Sequence, residues 1–289
     1  PAVAERLHVV STTTDLKSLV EMVGGERVNV VSLARPGDDA EEYRPRPQDL
    51  VRLKQAQLVV RVGLDFDLWL DNLIKRAERS DLRRGRTAHI DASFGVTLLD
   101  VHAGGIGPGD GHAHGSGNPH FWLDPKNGEI VTAHILERLA EIDPAHAKLY
   151  ETNRLAFLDR LAAKLRDWES ALAPVRDRPL VVYHNTWAYF ARRFRLAIAG
   201  IVEPRPGVPP SPSHLAALLK TMQTQNVKVL VRDPREPEKN VAFLAGKTGA
   251  RVALLAGSVG AAPGADDYIS LFDANVQTLR TAFGLPPAP

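Results

Sequence analysis

Short runs of β-branched and apolar residues alternate with longer stretches at helical spacing along this 289-residue chain, and this alternation constrains the fold more than any other feature. Repeated strand–helix units place their strands in a parallel sheet flanked by helices. The pattern predicts two sets of such units. The first set has strands at 8–12, 28–33, 58–62 and 87–90 and helices at 16–23, 48–54 and 68–77. The second has strands at 180–183, 197–202, 227–231 and 251–255 and helices at 187–194, 213–223, 241–248 and 268–283.

One long helix is predicted between the two sets. Asp143 and Pro144 form an N-cap and first-turn proline signal, and no glycine or proline follows Pro144 before residue 174. Apolar residues recur mostly at three- and four-residue steps and predict one packed face: Leu149, Leu155, Leu158, Leu161, Leu165 and Trp168. We therefore expect an α/β fold of two lobes, each a mainly parallel sheet flanked by helices, with residues 1–143 and 174–289 joined by a rigid helix over 144–173. An ordinary helix within one domain is the alternative.

Composition excludes several classes of function. No apolar run approaches the roughly 20 residues of a membrane-spanning helix. The formal net charge is only +2 and the basic residues are dispersed, so nucleic acid is not an expected partner. The chain has no cysteine, which leaves His, Asp and Glu for any metal site. It opens without an initiator Met or an apolar leader, and we expect a mature, exported form whose signal peptide has been removed.

Four loop segments carry side chains of the types that can bind cations, namely carboxylates and imidazoles. The first is the loop over 37–49, which contains Asp38, Asp39, Glu41 and Glu42. Its carboxylates could bind a cation, or they could be solvated loop charges. Asp49 could likewise be a first-turn acid that complements the helix dipole.

Histidines dominate the second segment. His102, His112, His114 and His120 lie within it, and its glycine-rich part over 104–117 has the composition of a mobile loop. His112 and His114 could capture metal loosely or be passive solvated residues. His120 differs because the apolar turn after it would hold its imidazole in place, and a fixed imidazole is the better ligand.

The last two segments belong to the second set of units. His184 follows the apolar strand at 180–183, and the carboxyl ends of such strands are where α/β sheets place ligand-binding residues. A core histidine satisfied by a backbone partner is the alternative. Asp266 and Asp267 precede the last helix, where simple N-capping competes with metal binding.

These segments carry a resemblance to a known family. Residues 119–125, Pro-His-Phe-Trp-Leu-Asp-Pro, are similar to the Pro-His-x-Trp-Leu-Asp-Pro motif of the cluster A-I metal-binding proteins of bacterial ABC transporters. Residues 41–47, Glu-Glu-Tyr-Arg-Pro-Arg-Pro, resemble the family's His-x-Tyr-Glu-Pro-x-Pro. Residues 184–190 resemble the segment of the third ligand, and Asp-Asp-Tyr at 266–268 with Asn275 resembles the closing pattern. The resemblance runs over essentially the whole length.

The resemblance implies a C-clamp of two lobes with a metal ion between them, bound by His120, His184, Asp266 and position 41. Glu41 is a departure, since the family's first histidine would stand there. It could coordinate through a carboxylate oxygen, leave a water-filled position, or yield to Glu42 or Asp39. His102, His112 and His114 would be accessory residues for metal capture.

The function implied is that of a periplasmic or lipid-anchored solute-binding protein, a monomer that delivers zinc to an ABC permease and that could receive it from a periplasmic metallochaperone. Zn²⁺ is the expected cargo, because the zinc members of the family tend to carry a histidine at the third ligand position and a histidine-bearing loop before the second ligand, and this chain resembles them in both. Two imidazoles with two carboxylates also suit Mn²⁺, so a manganese or iron receptor is the alternative. No catalysis is expected. A zinc hydrolase with Glu41 or Asp266 as general base is a further alternative, although no His-Glu-x-x-His pair occurs. A surface adhesin would use the same site with another partner.

Overall fold

The structure is a computed structural model that describes residues 6–100, 117–205 and 207–286. The chain divides into two compact units. One comprises the residues up to Thr97 together with Lys126–Ala163, and the other comprises Leu98–Pro125 together with the residues from Lys164 onward. We call them the first and the second unit. The segment 98–125 thus groups with the second unit, whereas the predicted boundary at residue 143 assigns it to the first lobe.

The first unit contains a four-stranded parallel sheet in the order β2-β1-β3-β4. Its strands are β1 (Leu7–Ser11), β2 (Val28–Ser32), β3 (Leu58–Arg61) and β4 (His89–Asp91). Its helices are α1 (Thr14–Gly24), α2 (Pro47–Gln55), α3 (Trp69–Arg76) and α4 (Asn127–Ile142). All four strands and α1 to α3 agree with prediction to within two or three residues. Helix α4, which packs on α1, was not predicted.

A second parallel sheet of four strands, in the order β6-β5-β7-β8, forms the centre of the second unit. Its strands are β5 (Pro179–Val182), β6 (Ala197–Ile201), β7 (Val229–Arg232) and β8 (Arg251–Leu254). The helices that follow them are α6 (Ala188–Phe194), α7 (Pro212–Thr224), α8 (Glu238–Thr248) and α9 (Tyr268–Ala282). The prediction of two α/β units with parallel sheets is confirmed.

The predicted long helix is also present, with a different buried face. Helix α5 spans Ala147–Leu172 and is flanked by 3-10 turns at 144–146 and 173–175. Leu149 and Leu155, expected in the packed face, are exposed by 41% and 51%. Leu161 and Trp168 are buried, as predicted. The other buried positions of the helix are Tyr150, Phe157 and Leu172, of which the two aromatic residues were not part of the predicted face. In the described part of the chain, no helix is long and apolar enough to cross a membrane.

The first unit is further fixed by a fully buried ion pair. The Arg61 guanidinium at the end of β3 donates to Asp67 through Nε at 2.8 Å, and neither side chain is exposed to solvent. Asp67 also accepts from the backbone N–H groups of Val62 and Gly63, so its carboxylate organises the turn that leads from β3 towards α3. Arg61 also donates through Nη1 to Asp71 at 2.7 Å, so Asp67 is one of two carboxylates that compensate the buried guanidinium charge.

Candidate metal centre

His120 is fixed at the start of a rigid turn, as its sequence surroundings predict. It is 7% exposed and directly precedes a 3-10 turn over Phe121–Leu123. The turn is anchored to the second unit by Trp122, whose Nε1 donates to the Gly257 carbonyl at 2.9 Å, and by Tyr268, whose hydroxyl donates to the Trp122 carbonyl at 2.8 Å. Asp124 is buried and accepts two hydrogen bonds from Arg193, at 2.7 and 3.0 Å. These hydrogen bonds therefore hold the turn, and with it the His120 imidazole, in place.

His184 directly follows Tyr183 at the carboxyl end of β5, next to His120. The two imidazole rings meet edge to face with their centroids 5.6 Å apart, and a ring nitrogen of one lies within 4.8 Å of a ring nitrogen of the other. Two nitrogens bound to one tetrahedral zinc ion at about 2.0–2.1 Å lie about 3.4 Å apart, so a small movement of either ring would suffice. The structure thus brings together the two predicted histidine ligands.

Hydrogen bonds set the same tautomer on both histidines. Nδ1 of His184 lies 2.6 Å from Oε2 of Glu203, and Nδ1 of His120 lies 3.0 Å from Oδ1 of Asn118. Carboxylate and amide oxygens can only accept, so each Nδ1 carries a proton, and in the neutral imidazole Nε2 then carries the lone pair. This arrangement, in which an oxygen acceptor orients the imidazole through its other nitrogen, is what histidine metal ligands require.

Carboxylates surround His184 in the second unit. Glu203 follows β6 and Glu236 follows β7, and both strands flank β5 in the sheet. Burial, with the nearby charge of Asp233, raises the pKa of Glu236 to about 7, while hydrogen bonding and the charges of His184 and Arg235 oppose this rise. Burial also raises the pKa of Tyr183, with Glu203 and Glu236 as secondary causes. Two carboxyl groups therefore lie on the strands next to β5, and one of them, Glu203, contacts the His184 ring.

The predicted carboxylate ligands lie on loops. Glu41 is partly buried in the loop between β2 and α2, and its backbone N–H donates to Asp39 Oδ1 at 2.9 Å. Asp266 is exposed before α9, and among the described residues it forms no group with both histidines in which all ligand atoms lie within 4.8 Å. His102, His112 and His114 lie outside the described residues.

Three further acids have structural roles. Asp49 is fully buried in the first turn of α2 and accepts from Tyr43 and from the Arg46 backbone. Asp38 pairs with Arg46 at 2.9 Å. Asp267 caps α9 by accepting from two backbone N–H groups. For Asp49 and Asp267 the capping interpretation is confirmed.

Comparison with known proteins identifies the family of the chain. The model of the ZnuA family, described as zinc-uptake complex component A, periplasmic, matches residues 9–282. The chain belongs to the ZnuA family. The resemblance found in the sequence, to metal-binding proteins of ABC transporters, is thereby confirmed.

Two curated relatives of this ZnuA-family chain show the range of metals among similar proteins. The high-affinity zinc uptake system protein ZnuA of Brucella abortus is 28% identical, with 87% of this chain and 84% of the relative covered. The iron-binding protein YfeA of Yersinia pestis is 26% identical, with 97% and 88% covered. Among solved structures, a zinc-bound deletion mutant of ZnuA is 28% identical with a TM-score of 0.82, covering 98% of this chain and all of that one.

Glu203 and Asn118, which orient the two histidines, were not predicted from the sequence. Glu203 directly follows the predicted strand at 197–202, beside the strand that leads to His184, so the rule that places ligand-binding residues at strand ends could have found it. Asn118 stands two residues before His120, directly before the matched motif over 119–125. No sequence signal gave its amide orientation, because that orientation depends on partners distant in the chain.

Proposed function

We propose that this chain is the solute-binding component of an importer for a divalent transition metal ion, that its cargo is zinc, and that it delivers the ion to an ABC permease in the membrane. The observation that carries the proposal is the His120–His184 pair, with each Nδ1 bonded to an oxygen acceptor. Membership in the ZnuA family and the zinc-bound structural neighbour support it. The chain would bind and release the ion without bond chemistry.

Carboxylates would complete the donor set. We place Glu41 and Asp266 there, because two imidazoles need further ligands to close a zinc coordination shell. Oxygen donors also suit Mn²⁺ and Fe²⁺, and the relative YfeA is an iron-binding protein. Zinc is favoured here because imidazole nitrogens suit Zn²⁺ better than Mn²⁺ and because the ZnuA structural neighbour at 28% identity is zinc-bound.

The family description supports a proposal for the location of the protein and for its partners. The family description places component A in the periplasm. We propose a monomer in the periplasm or anchored by lipid at the cell surface, which could receive its ion from a metallochaperone. Transfer of bound zinc to the permease, without metal-dependent hydrolysis, would distinguish a receptor from a zinc hydrolase.

Competition titration against a zinc chelator tests the proposal. We expect one zinc ion per chain, with His120→Ala and His184→Ala each weakening binding by about a hundredfold or more, since loss of a ligand should exceed loss of a residue that orients one. His134→Ala is the matched control, because that imidazole contacts the Phe94 carbonyl in the first unit. Equal zinc affinity in all four proteins would contradict the proposal.

The carboxylate ligands are tested separately. Glu41→Gln and Asp266→Asn keep the size of each side chain and remove its charge, so each should weaken zinc binding by about tenfold or more. Glu42→Gln is the control for Glu41, because it removes the charge of the exposed neighbour. If Glu42→Gln weakens binding and Glu41→Gln does not, the ligand in this loop is Glu42.

A further inference from the structure

A network of polar side chains in the second unit ends on His120. Asn118 is 6% exposed, and its Oδ1 accepts from both the backbone N–H and Nδ1 of His120, each at 3.0 Å. Its Nδ2 donates to Asp100 Oδ2 at 3.2 Å and to the Asn185 carbonyl at 2.8 Å. Asp100 Oδ2 also accepts from Asn185 Nδ2 at 2.8 Å. One carboxylate thus binds the amides of two residues, each close to a histidine of the metal centre.

The network permits only one orientation of the Asn118 amide. A flipped amide would point its oxygen at the Asp100 carboxylate and the Asn185 carbonyl, which are both acceptors, and its NH₂ group at the His120 backbone N–H, which is a donor. Each contact would then be repulsive. The Asn118 oxygen is therefore held towards His120, and this oxygen requires a proton on Nδ1 of the imidazole.

The backbone around Asn118 is also fixed. Its N–H donates to the Leu99 carbonyl at 2.8 Å, and its carbonyl accepts from the Tyr189 hydroxyl at 2.7 Å. Tyr189 in turn accepts from the Leu99 N–H at 3.1 Å. Asp100, which follows Leu99, has a left-handed backbone with φ of 54°, which is uncommon for a residue other than glycine. In this conformation its carboxylate accepts hydrogen bonds from the side-chain amides of Asn118 and Asn185.

We propose that Asn118, anchored by Asp100, is a positioning residue that fixes His120 in the Nδ1–H tautomer and so presents Nε2 to the metal ion. The inference rests on the proposed function, because it assigns a role at the same site. Without an oxygen acceptor at Nδ1, neutral imidazole distributes its proton over both nitrogens, and a proton on Nε2 blocks the metal bond. Residues that orient metal-binding histidines in this way typically contribute ten- to hundredfold in affinity.

Nitrogen-15 NMR of the histidine side chains in metal-free protein tests the tautomer directly, at about pH 8, where histidine is ordinarily neutral. We expect His120 to be protonated at Nδ1. Asn118→Leu keeps the size of the side chain and removes the acceptor, so His120 should become a mixture of tautomers and zinc affinity should fall about ten- to hundredfold. The double variant Asn118→Asp, Asp100→Asn keeps an oxygen acceptor at Nδ1 without placing two carboxylates together, so it should retain the Nδ1–H tautomer.

Two further variants separate positioning from folding. Asp100→Ala alters an exposed side chain and should shift the His120 tautomer partly, with a smaller loss of affinity. Asn153→Leu removes an asparagine hydrogen bond to the Val23 carbonyl in the first unit and should change neither readout. A wild-type His120 protonated at Nε2, or an unchanged tautomer in both Asn118→Leu and Asp100→Ala, overturns the inference. Because the tautomer is measured without metal, wild-type protein that binds no zinc would refute the proposed function and leave this result independent.

Discussion

Replacing Glu236 with glutamine should stabilise the protein at neutral and alkaline pH. Glu236 Oε2 accepts from the Asp233 backbone N–H at 2.7 Å, and a glutamine carbonyl oxygen could accept the same bond. Burial and the charge of Asp233 raise the pKa of the carboxyl from 4.5 to about 7. The folded protein therefore holds this carboxylate at a cost that the unfolded chain does not bear.

The sign of the effect follows from the two pKa values. Below 4.5 the carboxyl is protonated in both states and contributes no difference. As the pH rises towards about 7, the unfolded chain loses the proton first, so the free energy of unfolding decreases, and the loss is complete above the folded-state pKa. Each unit of pKa shift corresponds to about 1.4 kcal/mol, so the shift from 4.5 to about 7 lowers the free energy of unfolding by about 3 kcal/mol. Because Glu236 is partly exposed, we expect about 2 kcal/mol.

Urea unfolding of the metal-free protein between about pH 5 and about pH 8 measures this effect. Tryptophan fluorescence is a suitable signal because Trp122, Trp168 and Trp187 are buried in the second unit. The advantage of Glu236→Gln over wild type should grow from about 0.5 kcal/mol to about 2 kcal/mol across this range. Glu238→Gln removes an exposed carboxylate nearby and should show no such trend. A difference between Glu236→Gln and wild type that stays constant with pH would refute the reasoning.

Three further predictions concern the ion pair and the metal centre. Asp67→Ala should lower the free energy of unfolding by about 3 kcal/mol, measured by urea denaturation, because it removes the fully buried carboxylate beside Arg61 and leaves the buried guanidinium paired with Asp71 alone. An effect below about 1 kcal/mol would contradict this role of Asp67. Glu203→Gln should weaken zinc binding about ten- to hundredfold in chelator competition, because Glu203 orients the His184 imidazole. Thermal unfolding of the metal-free protein should change little. Unchanged zinc affinity would exclude Glu203 as the residue that orients His184. Zinc affinity should fall between about pH 7.5 and about pH 5.5, because protons compete for the imidazole nitrogens; constant affinity would remove both histidines from the donor set.

The two α/β units could be predicted because their strands are short apolar runs with clear boundaries. Helix α4 was missed for a local reason. It begins Asn-Gly and continues with Ile130, Val131 and Thr132, which are typical of turns and strands. Burial of Val131, Ile135 and Leu139 on one face outweighs these weak helix propensities. Packing of this kind depends on distant residues and is not visible in a local window.

The sequence singled out the two histidines that the structure brings together, but not the arrangement that orients them. His184 was predicted from its position after an apolar strand, and His120 from the apolar turn that follows it. The partners that set their tautomers, Glu203 and Asn118, depend on which strands are neighbours and on how one amide is turned. A pattern along the chain contains neither kind of information.

X-ray absorption at the zinc and manganese K-edges, on protein loaded with equal amounts of Zn²⁺ and Mn²⁺, tests the central claim most directly. We expect zinc to be retained, with two imidazole nitrogens and carboxylate oxygens at about 2.0–2.2 Å. The imidazole signal should fall by half in either His120→Ala or His184→Ala. Retention of manganese in place of zinc, or an imidazole signal unchanged in both variants, would contradict it.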